Sequence, residues 1–218
     1  MTKKSKLFPI LGNQFVQTDY CPLTLSVQTQ DWIGFDVETY DGLNEYVEWT
    51  RQQSGAQVAY GGYAEHRAIY NLSQHFNAAH RCIHLGIDLW AIAGTPVFAP
   101  CDSQIHSFRF NNAHLDYGAT LILEHHNAAM PSRYTLFGHL SLESLENLTV
   151  GMPIQMGQCI GWLGERAENG GWPPHLHLQS IRDMGDWWGD YPGVATQAEA
   201  AMYLANCPSP HTLCFGKF

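Results

Sequence analysis

Several residue patterns that would point to common protein classes are missing from this chain of 218 residues. No apolar run approaches the length of a membrane span. Charged residues make up only 14% of the chain and the formal net charge is −9, so no basic surface for nucleic acid or an anionic membrane is expected. We therefore predict neither a nucleic-acid partner nor a membrane partner.

A disulfide framework and a secretory signal are also not indicated. The six cysteines are spread along the chain without a C-x-x-C pair, which favours reduced and mostly buried thiols. The lysines near the N-terminus resemble the start of a signal peptide, but the apolar run after them is short and contains Pro9. These features predict a cytoplasmic protein.

What the chain does contain is typical of a turn-rich β protein. Apolar residues make up 45% of it, enough to bury a core, and it has 20 glycines and 11 prolines. The composition predicts a mainly β fold with an antiparallel sheet and peripheral helices. No H-E-x-x-H helix is present, so a glutamate base of that kind is not expected.

The segment from Ile83 to Leu89 alternates apolar residues with His84, Gly86 and Asp88. Period two places His84 and Asp88 on one face of a strand. In a straight strand their Cα atoms would be roughly 13 Å apart, too far to bind one ion together. The strand must therefore bend, and Gly86 is the residue that permits a kink.

Alternation and turn residues predict further elements around this segment. A helix is expected from Asp41, as N-cap, to Gln53, and another over 197–205, opened by a Thr196-x-x-Glu199 capping box. A second short helix or an irregular arm is expected over 65–76. The predicted strands are 103–110, 118–124 paired with 132–139, and 175–181.

Three short apolar segments each present histidine. They are His84-x-Gly86-x-Asp88, then His139, and then His175-Leu176-His177, whose two imidazoles point to the same face of a strand. Neutral imidazoles with one carboxylate suit zinc, which commonly takes three protein ligands in a catalytic site. We expect these segments to meet around one metal ion. No ligand-like spacing is found for His80, His106, His114, His125, His126 and His211.

The order of these motifs resembles a known family. H-x-G-x-D, then G-T-P-V-x-A over 94–99, then an aromatic-x-H-L over 137–140, and then H-L-H resemble the lysostaphin-type (LytM-like, glycyl-glycine endopeptidase) zinc metallopeptidases. The resemblance covers roughly residues 80–182. The glycine-punctuated stretch 151–164 is similar to that family's lipoyl-like β unit, a duplicated hybrid motif with a barrel-sandwich architecture.

The resemblance implies a role for each motif residue. His84, Asp88 and His177 would be the metal ligands for one Zn²⁺ per chain, and His139 and His175 would be the catalytic residues. The implied activity is that of a metallopeptidase, in which a metal-activated water attacks a peptide or amide bond. A role in orienting the ligands is the alternative for the last two histidines.

The wall of the expected cleft departs from the family pattern, because Trp172 and two prolines precede H-L-H and Leu178-Gln179 follow it. The departure leaves the substrate open. One alternative is a cytosolic zinc hydrolase acting on a small substrate other than peptidoglycan. The other is a non-catalytic binding module stapled by its metal. The expected domains are an N-terminal extension packed on the core (1–78), the lysostaphin-type β domain (79–184) and a C-terminal loop and helix (185–218); the oligomeric state is not predicted.

Overall fold

The structure is a computed structural model that describes residues 7–29, 31–67, 69 and 81–215. The described strands, in chain order, are β1 (Tyr20–Pro22), β2 (Val58–Gly61), β3 (Arg81–His84), β4 (Ile87–Trp90), β5 (Pro96–Phe98), β6 (Ser103–Asn111), β7 (Gly118–Glu124), β8 (Tyr134–Leu140), β9 (Pro153–Ile154), β10 (Cys159–Trp162), β11 (His175–Ile181) and β12 (Val194–Thr196). The described α-helices are α1 (Tyr40–Ser54), α2 (Ala200–Asn206) and α3 (His211–Cys214). Short 3₁₀ turns lie at Gln17–Asp19 and Leu142–Leu145.

The mainly β fold is confirmed. The largest sheet has the strand order β1-β2-β4-β11-β8-β7-β6-β9, and β5 pairs with β10 and β3 with β12 outside it. Its pairs are antiparallel, as expected, except β1 with β2, which are parallel and make the sheet mixed at one edge. Because β1 and β2 precede residue 79, the N-terminal region extends the sheet itself.

Strands β4, β8 and β11, which carry Asp88, His139, His175 and His177, lie in the middle of this sheet, whereas β3, which carries His84, lies outside it. Every residue of β4, β8 and β11 is buried. Strands covered on both faces form near-continuous apolar runs, which accounts for the sequence of these segments. Polar side chains in such strands lose their hydration and need partners inside the protein. The imidazoles of the central strands are therefore expected to have defined contacts.

The helix predictions are correct in place but not in their first residues. α1 begins at Tyr40, and the side chain of Thr39, instead of Asp41, caps it by accepting a hydrogen bond from Gly42 N at 3.1 Å. The hydrogen bonds between Thr196 and Glu199 are present, but α2 begins only at Ala200. Most of the helix or arm predicted over 65–76 lies outside the described residues.

The segments 94–99 and 151–164 are neighbours in the structure. β5, from the first segment, pairs with β10, from the second. The lipoyl-like character of this unit stays a prediction, as do the domain boundaries at 78/79 and 184/185. In the part of the chain that the structure describes, no helix has both the length and the apolar character needed to cross a lipid bilayer.

Candidate metal centre

The predicted kink at Gly86 is present, since β3 ends at His84 and β4 begins at Ile87. A Cβ atom on Gly86 would lie 2.7 Å from Nε2 of His177 and 2.6 Å from the carbonyl oxygen of Leu178. Glycine is therefore required because the neighbouring strand β11 approaches too closely for a side chain. In the β4–β11 register His177 stands directly opposite Asp88, which brings their side chains together.

The predicted ligands meet through one atom each. Nε2 of His84 lies 2.9 Å from Nδ1 of His177, and Oδ1 of Asp88 lies 3.3 Å from the first and 3.2 Å from the second. All three side chains are buried. Among the described residues, this is the group of histidine, cysteine and acidic side chains whose donor atoms are close enough to bind one metal ion.

The hydrogen bond made by the outer nitrogen of each imidazole places the ring proton there, so that the inner nitrogen carries a lone pair. Nδ1 of His84 donates to the carbonyl oxygen of Gly62 at 2.9 Å. Nε2 of His177 donates to Oε1 of Gln179 at 2.9 Å, and Gln179 Nε2 in turn donates to the carbonyl oxygen of Pro192. With those protons on the outside, both inner nitrogens present lone pairs toward Asp88.

The electrostatics also favour this arrangement of lone pairs. Burial, followed by the charge of Arg67, lowers the pKa of His84 to about 4, so its imidazole is neutral at pH 7. Burial opposes ionisation of Asp88, but its contacts with His84 and with the Arg67 guanidinium outweigh the effect of burial and lower the pKa of Asp88 well below the usual value. The neutral imidazole of His84 and the carboxylate of Asp88 thus face the inner nitrogen of His177.

This geometry fits a tetrahedral zinc ion. Nitrogen and oxygen ligands about 2.0–2.1 Å from zinc lie roughly 3.3–3.4 Å apart at tetrahedral angles. The observed separations of 2.9–3.3 Å are close to that edge length. Three acceptors facing one another without a donor between them repel, and a cation would remove that repulsion. The donor set and its spacing are therefore suited to zinc.

His139 is placed beside this group by a strained backbone. It lies where the β7–β8 register shifts, and its φ angle is +63°. Hydrogen bonds from His139 N to Tyr117 O and from Gly164 N to His139 O hold that conformation. Nδ1 of His139 donates to the carbonyl oxygen of Asn169 at 2.8 Å, which leaves Nε2 free. Burial, together with His175 and His177, lowers the pKa of His139 well below its usual value.

His175 completes the cluster. Its Nδ1 donates to the carbonyl oxygen of Pro173 at 2.8 Å, and its Nε2 lies 3.9 Å from Oδ1 of Asp88. The rings of His175 and His139 are 4.2 Å apart between centroids. Burial lowers the pKa of His175. All five predicted residues are therefore brought into one cluster, and both of these imidazoles are neutral with one free nitrogen each.

An aromatic cleft surrounds the five residues. Trp90, Trp172, Trp187 and Tyr191 line it together with the histidines. Trp172 comes from the loop that departs from the family pattern, and Trp187 and Tyr191 come from the segment after β11. Trp172, one of the unusual residues before H-L-H, thus forms part of the wall beside the cluster.

Three residues that contact the cluster were not singled out from the sequence. Gln179 lies two residues after His177 on β11, so period two would have placed it on the same face. Asn169 lies in an Asn-Gly turn, and its buried amide bonds to the backbone of Trp172 and Gly164. Arg67, which contacts Asp88, carries no local signal, because its partner is distant in the sequence.

The comparison with protein families agrees with this cluster. The sequence profile of peptidase family M23 matches residues 82–187, which contain all five site residues. This match covers just under half of the chain, and residues 82–187 are called the M23 segment. The range of this M23 segment is close to the expected domain 79–184. Glu65 and Arg67 precede it.

Solved structures that are similar to this chain match it only modestly. A zinc-containing peptidase from Vibrio cholerae is 26% identical over 45% of this chain and 26% of its own, with a TM-score of 0.35. The catalytic domain of a prophage-encoded M23 protein from Enterococcus faecalis is 21% identical over 44% of this chain and 66% of its own, with a TM-score of 0.35. The catalytic domain of the antimicrobial peptidase lysostaphin from Staphylococcus simulans is 22% identical over 72% and 96%, with a TM-score of 0.43. No protein with a curated description matches this chain.

Proposed function

We propose that this protein is a zinc-dependent hydrolase of peptide or amide bonds, with His84, Asp88 and His177 as ligands of one Zn²⁺. The observation that carries the proposal is the convergence of one lone-pair atom from each of these side chains, 2.9–3.3 Å apart. The match of residues 82–187 to a peptidase family supports hydrolysis as the reaction. A zinc ion bound there would lower the pKa of a coordinated water to about 7 and would polarise the carbonyl under attack.

His139 and His175 are proposed as the catalytic residues. Both are neutral near pH 7, because burial lowers the pKa of each. Each has its Nδ1 hydrogen on a backbone carbonyl and therefore offers Nε2 as a proton acceptor. His175 is the nearer to the ligands, 3.9 Å from Asp88, and is suited to taking the proton of the attacking water. His139, at the bend of β8, would stabilise the developing oxyanion or protonate the leaving amine only after its Nε2 has taken up a proton, which the attacking water can supply.

The substrate is proposed as a peptide or amide of limited size. The cleft wall includes Trp172, Trp187 and Tyr191, and aromatic faces of this kind suit apolar or sugar-bearing segments more than highly charged ones. Peptidoglycan peptides and small cytosolic amides both remain in this class. A panel containing glycine-rich peptides, peptidoglycan fragments and small amides separates the two by which members are cleaved.

The test combines metal content with hydrolysis. Protein purified without chelator is expected to hold about one zinc per chain and to cleave at least one member of the panel. His84→Ala should lose both properties, while His106→Ala, which changes a histidine outside the cluster, should retain both. Hydrolysis without metal, or zinc retained at full occupancy by His84→Ala, would contradict the proposal.

A metal-stapled binding module is the remaining alternative, and stability measurements separate it from the enzyme. If the metal is only structural, a chelator is expected to lower the melting temperature strongly, and no member of the panel is cleaved. The free Nε2 atoms of His139 and His175 argue against this alternative, because a purely structural site has no use for two neutral bases beside it.

A further inference from the structure

Arg67 is a buried arginine that precedes the M23 segment and contacts one of the proposed ligands. Its Nη1 donates to Oδ2 of Asp88 at 2.6 Å, and both side chains are almost fully buried. We propose that Arg67 is a positioning residue that restricts Asp88 to binding metal through a single oxygen. This inference rests on the metal site proposed above.

The two carboxylate oxygens of Asp88 have separate partners. Oδ1 faces Nε2 of His84 and Nδ1 of His177, and Oδ2 faces Arg67. For Asp88 to bind a metal through both oxygens, Oδ2 would have to leave a buried guanidinium. Separating a buried ion pair is costly, because it leaves a charge without compensation. The contact therefore keeps Asp88 monodentate.

The guanidinium cannot simply follow the carboxylate, because it is anchored on its other side. Nε of Arg67 donates to Oε2 of Glu65 at 2.7 Å. The other oxygen of Glu65 accepts hydrogen bonds from the backbone of Leu25 and from the hydroxyl of Thr24. The guanidinium also lies 5.8 Å from the ring centroid of Trp90. The planar fork of arginine spans both carboxylates, which a lysine could not do.

The consequence for the site is an open coordination position. Three protein ligands that give one atom each leave room for a ligand from outside the chain, which a catalytic zinc site requires. A carboxylate that binds through two oxygens would fill that room and would favour larger ions with higher coordination numbers. The residues before the M23 segment thus take part in shaping the metal site.

The test uses Arg67→Met, which keeps an apolar side chain of similar reach to the aliphatic part of arginine but removes the guanidinium. Zinc affinity is measured by competition with a chromophoric chelator, and coordination by the visible absorption of the cobalt-substituted protein. We expect zinc affinity to fall roughly 10- to 100-fold, as for other groups that orient metal ligands. The cobalt bands should weaken, since four-coordinate Co²⁺ absorbs more strongly than five- or six-coordinate Co²⁺.

Arg133→Met is the matched control, because Arg133 also pairs with a carboxylate, Glu124, but at an exposed position. It should leave both readouts unchanged. Arg67→Lys keeps the buried charge but can reach only one of the two carboxylates, so an intermediate affinity is expected. It decides the question with the same readouts if Arg67→Met does not fold.

The outcomes separate this inference from the proposed function. If the wild type binds neither zinc nor cobalt, the metal site itself is wrong and both proposals fall. If the wild type binds metal and a folded Arg67 variant keeps its affinity and its cobalt spectrum, only the role of Arg67 is overturned. Weaker binding with an unchanged spectrum would also overturn it, because Arg67 would then affect stability of the site but not the denticity of Asp88.

Discussion

The three proposed ligands and the two neighbouring histidines are held in different ways. The ligands are fixed by groups from several parts of the chain: the carbonyl of Gly62, the guanidinium of Arg67 and the amide of Gln179. His139 and His175 are each fixed by a backbone carbonyl, and both carbonyls belong to the loop that enters β11. Metal affinity is therefore expected to depend on distant side chains, and catalysis on the conformation of one loop.

Removing a ligand should have the largest effect on both properties. His177→Ala deletes one of three donor atoms from a buried site and leaves Asp88 facing a single imidazole. We expect zinc to be lost at any practical concentration and hydrolysis to fall to background, with metal content and turnover measured on the same sample. His106→Ala serves as the control, and a zinc-bound, active His177→Ala would remove His177 from the site.

Removing a catalytic imidazole should separate the two properties. His139→Asn is expected to keep one zinc per chain while hydrolysis falls roughly 10²- to 10⁴-fold, the usual contribution of a general acid or base. Asparagine tolerates the left-handed backbone found at this position, so the fold should not suffer. A loss of zinc in His139→Asn would instead indicate a role in holding the metal.

The same contrast explains how much of the site could be predicted from the sequence. The five site residues lie in short motifs whose period-two spacing already places His175 with His177, and the bend that lets His84 approach Asp88 follows from Gly86. The central strands were also predictable, because their apolar runs are bounded by turn residues. The roles assigned to the five residues remain predictions.

The groups that hold those residues could not be predicted in the same way. Arg67 and Asp88 are 21 positions apart, and their contact depends on where the residues before β3 pack against the sheet. The predicted first residues of the helices were wrong for a related reason. Thr39 and Asp41 are both good caps, and only the path of the chain decides which one bonds to the first turn. Local sequence patterns predict helices and strands, whereas tertiary packing determines which of several suitable side chains forms a given contact.

Disturbing the loop should affect hydrolysis more than metal binding. The buried side chain of Asn169 accepts hydrogen bonds from the backbone of Gly171 and Trp172 and donates to the carbonyls of Gly164 and Trp172. Asn169→Ala removes the partner of these groups, at a cost of about 1–3 kcal/mol for the buried carbonyl of Gly164 and less for the part-buried groups. We expect a lower melting temperature and hydrolysis reduced roughly 10- to 100-fold through misplacement of His139.

The control for the loop is Asn127→Ala, because Asn127 also bonds to a backbone N–H, that of Ala129, in a loop away from the cluster. It should lower stability slightly without changing the rate of the folded protein. If Asn169→Ala lost zinc as readily as activity, the ligands and the catalytic pair would not be supported separately.

The smallest effect on turnover is expected from Gln179→Leu, which acts on the ligand side alone. Leucine removes the acceptor for Nε2 of His177. The tautomer with the proton on Nδ1, the nitrogen that faces Asp88, then becomes the more stable one. Zinc must then displace that proton, and its affinity should fall roughly 10- to 100-fold. With zinc in excess the site refills, so turnover of the saturated enzyme should change little. Gln179→Glu keeps an acceptor and should retain affinity. Equal zinc affinity in all three proteins would mean that packing within β11 alone orients His177.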